Sequence, residues 1–194
     1  MSSEIPTTRD RILNAAWTLL ESNPGVAARM SDIAKAAGVS RQALYLHFPS
    51  RTELFIAVTR HQDAVFGVQD MLEASRAAET GEARLQAFIT AWGNYIPRIF
   101  GVAKTLLIMR ETDADAARAW DERMADMREG CAAAVAALAR DGALVMEERE
   151  ATDLLWTLLS IPTWEHLTRL CGWQQELYMS EINRLARLGL CGQA

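Results

Sequence analysis

Residues 31–55 read SDIAKAAGVSRQALYLHFPSRTELF and hold two short helical patterns separated by a glycine. Gly38 can adopt a positive φ and so end the first helix, and Ser40 can cap the second one. The small apolar residues of the first pattern let the two helices approach closely, whereas Arg41 and Gln42 face outward at the start of the second. This layout is typical of a helix–turn–helix, whose second helix enters the major groove of DNA. The stretch therefore predicts a DNA-binding protein.

The same stretch resembles the signature of the TetR family (tetracycline-repressor-type) of transcriptional regulators. The residues that match at the spacing of that signature are Ile33, Ala34, Ala37, Gly38, Val39, Ser40, Leu44, Tyr45, His47, Phe48, Arg51, Leu54 and Phe55. The resemblance implies an all-α chain with a three-helix DNA-binding head at residues 1–52 and a larger helical domain for effector binding and dimerisation at residues 53–194. It further implies a homodimeric repressor that a small, largely apolar effector releases from a palindromic operator.

The predicted recognition helix supplies most of the expected DNA contacts. Arginine can pair bidentately with guanine and glutamine with adenine, so Arg41 and Gln42 are expected to read bases. Taken alone, Tyr45 could belong to the core and His47 could be an ordinary exposed residue, but the surrounding pattern favours phosphate contact for both. The full set of expected DNA contacts is Arg29, Ser31, Ser40, Arg41, Gln42, Ala43, Tyr45, Leu46, His47 and Arg51.

One position departs from the family pattern at the start of the helix–turn–helix. The family commonly places Ser or Thr, as a cap and phosphate ligand, where this chain has Arg29. An arginine can replace the phosphate contact but cannot cap the helix in the same way. Ser31 is therefore expected to cap a slightly later helix start.

The charge distribution and the cysteine content limit the class of protein. The net charge is −5, with seven Lys/Arg against five Asp/Glu in residues 1–60 and thirteen against twenty in residues 61–194. A head of net charge +2 on a body of net charge −7 is consistent with phosphate contact by the head alone. The three cysteines show no CxxC spacing, and no signal peptide or membrane-spanning run occurs, so we expect a soluble cytoplasmic protein.

Helical periodicity continues along the rest of the chain. Thr7 is expected to cap the first helix, which should end at Asn23–Gly25. Ser50 opens a fourth helix that is expected to run into the mid-70s. Further helices are predicted at residues 82–100, 102–112, 114–140, 147–169 and 174–189. Pro97 should break the helix that contains it, and Pro162 should kink its helix, where the kink could shape either a pocket wall or a dimer seam.

Large polarizable side chains are frequent in the predicted body. They form either an ordinary amphipathic core or the lining of an apolar effector pocket, and their spacing does not separate the two. The candidate pocket residues are Trp92, Tyr95, Phe100, Met109, Trp120, Met124, Met127, Cys131, Trp156, Trp164 and His166. The family resemblance places dimerisation on the last two long helices, where the candidate interface residues are Leu155, Leu158, Leu159, Tyr178, Ile182 and Leu185.

Other classes of protein find little support in the sequence. The three histidines are widely separated, and no G-x-S-x-G, H-E-x-x-H or P-loop pattern occurs, so we expect no enzyme, no metal and no cofactor. Glu111, Asp113 and Asp115 lie at a predicted helix junction, where a solvated helix start is a sufficient explanation. The alternative function is a DNA-binding regulator without a small-molecule effector, controlled by protein contact or cysteine oxidation.

Overall fold

The computed structural model describes residues 6–191, and over this range the chain is helical with no strand. The helices are α1 (Thr8–Ser22), α2 (Met30–Ala37), α3 (Arg41–His47), α4 (Arg51–Phe66), α5 (Val68–Met71), α6 (Glu73–Arg76), α7 (Gly81–Met109), α8 (Ala114–Arg140), α9 (Glu148–Leu158), α10 (Ile161–Glu165) and α11 (Gln175–Leu190). A π-helical turn at His166–Leu170 follows α10 directly. The all-α prediction is confirmed.

The chain forms two compact units. The first comprises Met1–Phe66, of which residues 6–66 are described, together with Ile99–Glu122. The second comprises Gly67–Arg98 and Arg123–Ala194, described as far as residue 191. The first unit thus combines the predicted head with the end of α7 and the start of α8, whereas the expected division at residues 52 and 53 separates them. A folding boundary at that position stays a prediction.

Local capping predictions are confirmed in the first unit. Asp10 donates its backbone N–H to Thr7 Oγ1 at 3.2 Å, and the Thr7 backbone N–H is donated to Asp10 Oδ2 at 3.2 Å, which closes a capping box on α1. The helix ends at Ser22, immediately before the predicted stop. Its inner stripe consists of fully buried apolar residues, namely Ile12, Leu13, Ala16 and Leu20.

The end of α1 packs closely against α7 within this unit. A Cβ on Gly101 would lie 2.5 Å from the Leu20 carbonyl oxygen, so the two backbones approach more closely than any larger residue allows. Glu21 accepts the Gly101 backbone N–H at 2.8 Å. Thr105 Oγ1 accepts the Gly25 backbone N–H at 3.2 Å. These hydrogen bonds fix residues 99–109 to the end of α1.

The expected break at Pro97 was wrong, because α7 continues from Gly81 to Met109 without interruption. A proline has no N–H, so the carbonyl of Gly93 loses its partner in the helix. Gln175 Nε2 donates to that carbonyl oxygen at 3.0 Å and replaces the missing hydrogen bond. The predicted pair of helices at residues 82–100 and 102–112 is therefore one helix.

The predicted helix at 147–169 was also wrong in detail. It ends at Leu158 and restarts at Ile161, so that Pro162 occupies the first turn of α10, where its missing N–H has no intrahelical acceptor to lose. Ser160 Oγ accepts the Thr163 backbone N–H at 3.2 Å and caps the new helix. The proline marks a break between two helices, not a kink within one.

The ends of the remaining predicted helices lie closer to those in the structure. The helices predicted at 114–140 and 174–189 correspond to α8 and α11, and Gly142 and Gly172 follow helices at positive φ, as expected of helix stops. The fourth helix is shorter than expected. It ends at Phe66, and Gly67 adopts a positive φ of 60° before two single-turn helices, α5 and α6.

Candidate nucleic-acid interface

The turn between α2 and α3 has the geometry that the sequence predicts. Gly38 ends α2 in the left-handed conformation, at φ 64° and ψ 39°. Its backbone N–H is donated to the Lys35 carbonyl oxygen at 3.2 Å, and that of Val39 to the Ala34 carbonyl oxygen at 3.0 Å. Both hydrogen bonds satisfy carbonyl groups at the helix end.

Arg11 of α1 holds the same turn from outside the motif. Its Nη2 donates to the Ala37 carbonyl oxygen at 2.6 Å and to that of Gly38 at 2.9 Å. A cation at the C-terminal end of α2 also complements the negative end of the helix dipole. Sequence reasoning missed this residue, because the partners lie 26 and 27 positions away.

The recognition helix α3 presents one polar face. Ser40 Oγ accepts the Ala43 backbone N–H at 3.0 Å, which confirms the predicted cap, and Leu44 is fully buried against the rest of the head. Leu46 exposes 80% of its surface and Tyr45 exposes 42%. The remaining exposed residues of the face are Arg41, Gln42 and His47. An exposed face of this composition can offer hydrogen bonds to base edges and an apolar contact to thymine methyl groups.

The expected start of α2 needs a correction. The helix begins at Met30 with Arg29 as its N-cap, and within the described chain the Arg29 side chain makes no capping hydrogen bond. Ser31 lies inside the first turn, where its hydroxyl donates to Asp32 Oδ1 at 3.4 Å instead of capping. Arg29 and Ser31 are both exposed, and their contact with DNA stays a prediction.

The start of α4 is fixed by two side chains. Ser50 Oγ accepts the Glu53 backbone N–H at 3.1 Å, and Thr52 Oγ1 donates to Asp113 Oδ2 at 2.5 Å. Asp113 also caps α8 by accepting the Asp115 and Ala116 backbone N–H groups at 3.0 Å each. The hydrogen bond from Thr52 and those from the backbone hold the pKa of the Asp113 carboxyl below its usual value. Sequence reasoning treated Asp113 only as part of a solvated junction.

The candidate pocket residues do not gather in one unit. Phe100, Met109 and Trp120 belong to the first unit and are buried there. The others belong to the second unit, where Tyr95, Met127, Cys131 and Trp164 are buried, Trp92, Met124 and Trp156 are partly exposed, and His166 is exposed.

Two of these tryptophans make hydrogen bonds inside the second unit. Trp92 Nε1 donates to the Leu159 carbonyl oxygen at 2.8 Å, and Trp164 Nε1 donates to Gln175 Oε1 at 2.9 Å. Burial raises the pKa of the Cys131 thiol to about 12, which keeps it protonated and unreactive at neutral pH. A pocket that uses these residues stays a prediction.

Most of the expected interface residues face the interior of the subunit. Leu155, Leu159, Tyr178 and Ile182 have no exposed surface in the single chain, so their side chains cannot form the outer face of a seam. The outer side of α11 is apolar through the predicted Leu185 and through Leu177 and Leu188, which were not predicted; they expose 40%, 45% and 42% of their surface. Of the six predicted residues, Leu185 is exposed and Leu158 partly so.

None of the described helices is both long and apolar enough to cross a membrane. The glycine turn at Gly38, the buried Leu44 and the exposed polar residues of α3 have the geometry of a helix–turn–helix. The family model described as "Bacterial regulatory proteins, tetR family" matches residues 12–58, which are α1 to most of α4. This match confirms the resemblance to the TetR family over the N-terminal part of the chain.

Curated relatives match the N-terminal part of the chain. The nucleoid occlusion factor SlmA of Marinobacter nauticus is 40% identical over 67 residues, which cover 34% of each protein. The HTH-type transcriptional activator FasR of Mycolicibacterium smegmatis is 37% identical over 89 residues, or 45% of this chain and 40% of FasR. The chain thus spans about a third to two fifths of the length of these relatives.

Solved structures match nearly the whole chain in fold. A putative transcriptional regulator from Saccharomonospora viridis in complex with choline has a TM-score of 0.82 at 16% identity, covering 95% of this chain and 98% of that one. The transcriptional regulator FadR from Bacillus subtilis in complex with stearoyl-CoA has a TM-score of 0.74 at 17% identity, with the same two coverages. At these identities the likeness establishes the fold alone.

Proposed function

We propose that the protein is a homodimeric transcriptional repressor that a small, largely apolar effector releases from a palindromic operator. The exposed face of α3 is the single observation that carries the proposal. Arg41, Gln42, Tyr45 and Leu46 are exposed on a helix of seven residues whose position is fixed by the buried Leu44. Two long hydrogen-bonding side chains beside an exposed leucine suit base edges and thymine methyl groups in a major groove.

The start of α4 supports phosphate contact beside this helix. Arg51 is exposed at the first position of α4. The backbone N–H groups of the first turn and the positive end of the helix dipole favour an anion at the same place. A cation and a helix N-terminus that point to one phosphate would set the register of α3 on the duplex.

Dimerisation would follow from the need for two recognition helices and from the leucines on α11. A helix of seven residues makes few base contacts, and two-fold operators place half-sites about 34 Å apart to use two of them. Leu177, Leu185 and Leu188 lie on one side of α11, next to the fully buried Tyr178 and Ile182. Covering this apolar face with a second copy would remove it from water.

The proposal that an effector exists rests on the composition of the second unit and on solved structures of similar fold. Tyr95, Met127 and Trp164 are buried there, and flexible or aromatic apolar side chains are typical of ligand pockets. Two proteins of the same fold were solved in complex with choline and with stearoyl-CoA. The alternative is a regulator with no small-molecule effector, and the relative FasR is described as an activator, not a repressor.

The proposal is tested by selecting preferred duplexes from a random DNA pool at a fixed salt concentration. The expected result is a palindromic consensus with half-sites about one helical turn apart. The selected duplex then serves to screen apolar compounds, including acyl-CoA thioesters, for release of the protein. Failure to enrich any sequence over the random pool would overturn the operator-binding proposal. A palindromic site that no compound releases would instead favour the alternative without an effector.

A further inference from the structure

A cleft of about 500 Å³ opens in the first unit between α1, the end of α3 and one side of α4 from Glu53 to Ala64. Its titratable lining residues are Arg9, His47, Glu53, Arg60 and His61, so that two arginines stand against one carboxylate, and Phe48 contributes an apolar wall. His47 is shared with the exposed face of α3. The cleft is therefore continuous with the proposed DNA-reading surface, although residues of α1 are not part of the helix–turn–helix.

Arg9 is held at a defined place in this cleft. Its guanidinium carbon lies 5.1 Å from the centre of the Phe48 ring, in a cation–π arrangement. Phe48 ends α3 and is 3% exposed, so it gives the guanidinium a fixed support. A guanidinium that lies over an aromatic ring can still donate its N–H groups to an anion. The contact with Phe48 restricts the positions that Arg9 can take before it binds.

The acidic side chains near the cleft are engaged by helix starts. Asp10 accepts the Thr7 hydroxyl at 2.7 Å and the Thr7 backbone N–H at 3.2 Å, and the hydrogen bond from the hydroxyl is the main reason why its pKa is lowered. Glu53 lies in the first turn of α4, with its Oε1 3.5 Å from Ser50 Oγ. Arg9 adds to the lowering of the Asp10 pKa, after the hydrogen bonds from Thr7. Because Thr7 and Ser50 already occupy the two carboxylates, the exposed Arg9 guanidinium can still donate to an external anion.

We infer that Arg9 binds a backbone phosphate of the operator, beside the groove that α3 enters and outside the helix–turn–helix. This inference rests on the proposed DNA-binding function. A phosphate diester fits the bidentate N–H edge of arginine, and the shared residue His47 puts the cleft next to the duplex. A phosphate contact carries no base preference, so Arg9 would add affinity and orient the head without changing the sequence that is read.

The test measures the salt dependence of binding, using the duplex selected from the random pool and a random duplex of equal length. Fluorescence anisotropy gives the dissociation constants of the wild type and of Arg9→Gln between about 50 and about 200 mM KCl. Each phosphate contact adds about 0.9 to the slope of log affinity against log salt. We expect Arg9→Gln to lower that slope by about 1 for each bound subunit, on both duplexes alike. Arg9→Lys, which keeps the charge, should restore most of the slope.

Arg118→Gln is the matched control. Arg118 lies in the same unit, is exposed and forms an ion pair with Asp115, but it does not line the cleft. Its substitution removes the same charge from the protein and should leave the salt slope unchanged. Thermal unfolding of each variant checks that the head is folded.

Three outcomes would overturn the inference. An unchanged slope in folded Arg9→Gln would mean that the cleft serves another purpose, such as binding a protein segment. If Arg9→Gln lowered the salt slope on the selected duplex but not on the random one, Arg9 would support base reading and not phosphate binding. If Arg118→Gln lowered the salt slope by the same amount, the change in net charge would explain the effect, and a contact from Arg9 would not be needed. If the wild type binds neither duplex, the proposed function itself has failed, which is distinct from a failure of Arg9 alone.

Discussion

Thr52 donates a 2.5 Å hydrogen bond from its hydroxyl to Asp113, and this bond ties the first turn of α4 to the N-terminus of α8. Thr52 is buried and follows Arg51, the residue proposed to contact phosphate. The same carboxylate caps α8 through two backbone N–H groups. One side chain therefore sets both a helix start in the head and a helix start 61 residues later in the sequence.

Replacing Asp113 by Ala should destabilise the protein by about 2 kcal/mol, because it removes a helix cap and the acceptor of a buried hydroxyl. Urea unfolding measures the change. Asp115→Ala provides a comparison from the first turn of α8, since Asp115 is exposed and does not contact Thr52. Equal stability of the two variants would show that the bond between Thr52 and Asp113 contributes nothing.

Acidification should destabilise the folded chain through the same residue. The pKa of Asp113 is lowered in the folded state from a usual value of 3.8, so the unfolded chain binds the proton more tightly. The stabilising contribution is present above pH 3.8 and is lost as the pH falls through the lower, folded-state pKa. Asp113→Asn should therefore lose less stability than the wild type between about pH 5 and about pH 2, as urea unfolding at each pH would show. If the free energy of unfolding fell equally with pH in the wild type and in Asp113→Asn, the acid sensitivity could not be assigned to Asp113.

Gly101→Ala should destabilise the protein although alanine is the better helix former by about 1 kcal/mol. The added Cβ would lie 2.5 Å from the Leu20 carbonyl oxygen and 2.6 Å from the Glu21 Cα, both of which belong to backbone that cannot move aside locally. We expect a loss above about 2 kcal/mol in urea unfolding.

Gly142→Ala serves as the comparison for Gly101→Ala. Gly142 has a φ of 71°, and a Cβ there would meet no atom within 4 Å. Only backbone strain of about 1 kcal/mol is then expected. A Gly101→Ala protein as stable as the wild type would show that the end of α1 and α7 are not in close contact.

Arg41→Ala should weaken binding to the selected duplex by about 1–3 kcal/mol and relax the preference at one base position in each half-site. Binding to a random duplex should change far less, in contrast to the effect expected for Arg9. Repeating the selection from the random pool with the variant gives the altered base preference directly. An unchanged consensus would exclude Arg41 as a base-reading residue.

The double substitution Leu185→Glu and Leu188→Glu should convert a dimer into monomers, because it places charge on the exposed apolar face of α11. Sedimentation equilibrium measures the mass of the particle. Val145→Glu adds a charge at another exposed apolar residue, which is 60% exposed and lies outside α11, and should leave the mass unchanged. A wild type that sediments as a monomer would refute the dimer.

The sequence predicted the features that neighbouring residues determine. Gly38, Ser40 and the capping box of Thr7 act over three or four positions, and each adopts the expected geometry. The buried Leu44 and the exposed Arg41 agree with the helix–turn–helix layout from which they were predicted.

The features that the sequence did not predict depend on distant partners. Pro97 does not break α7 because Gln175, 82 residues beyond Gly93, donates to the freed carbonyl oxygen. Leu185 follows Tyr178 and Ile182 at helical spacing, so periodicity could not tell that these two are buried and that Leu185 at the edge of the same stripe is exposed. Tertiary packing decides which face is inside.

The first unit is discontinuous in sequence, and this has a consequence for synthesis on the ribosome. When Phe66 has been made, the Gly25 amide and the Glu21 carboxylate still lack Thr105 and Gly101, and Thr52 lacks Asp113. At about 5–20 residues per second, residue 122 follows several seconds later. During that interval the nascent head carries its recognition helix but not the residues that complete its packing. Ribosome pausing between these two points would prolong the exposure of an incomplete DNA-binding domain to proteases.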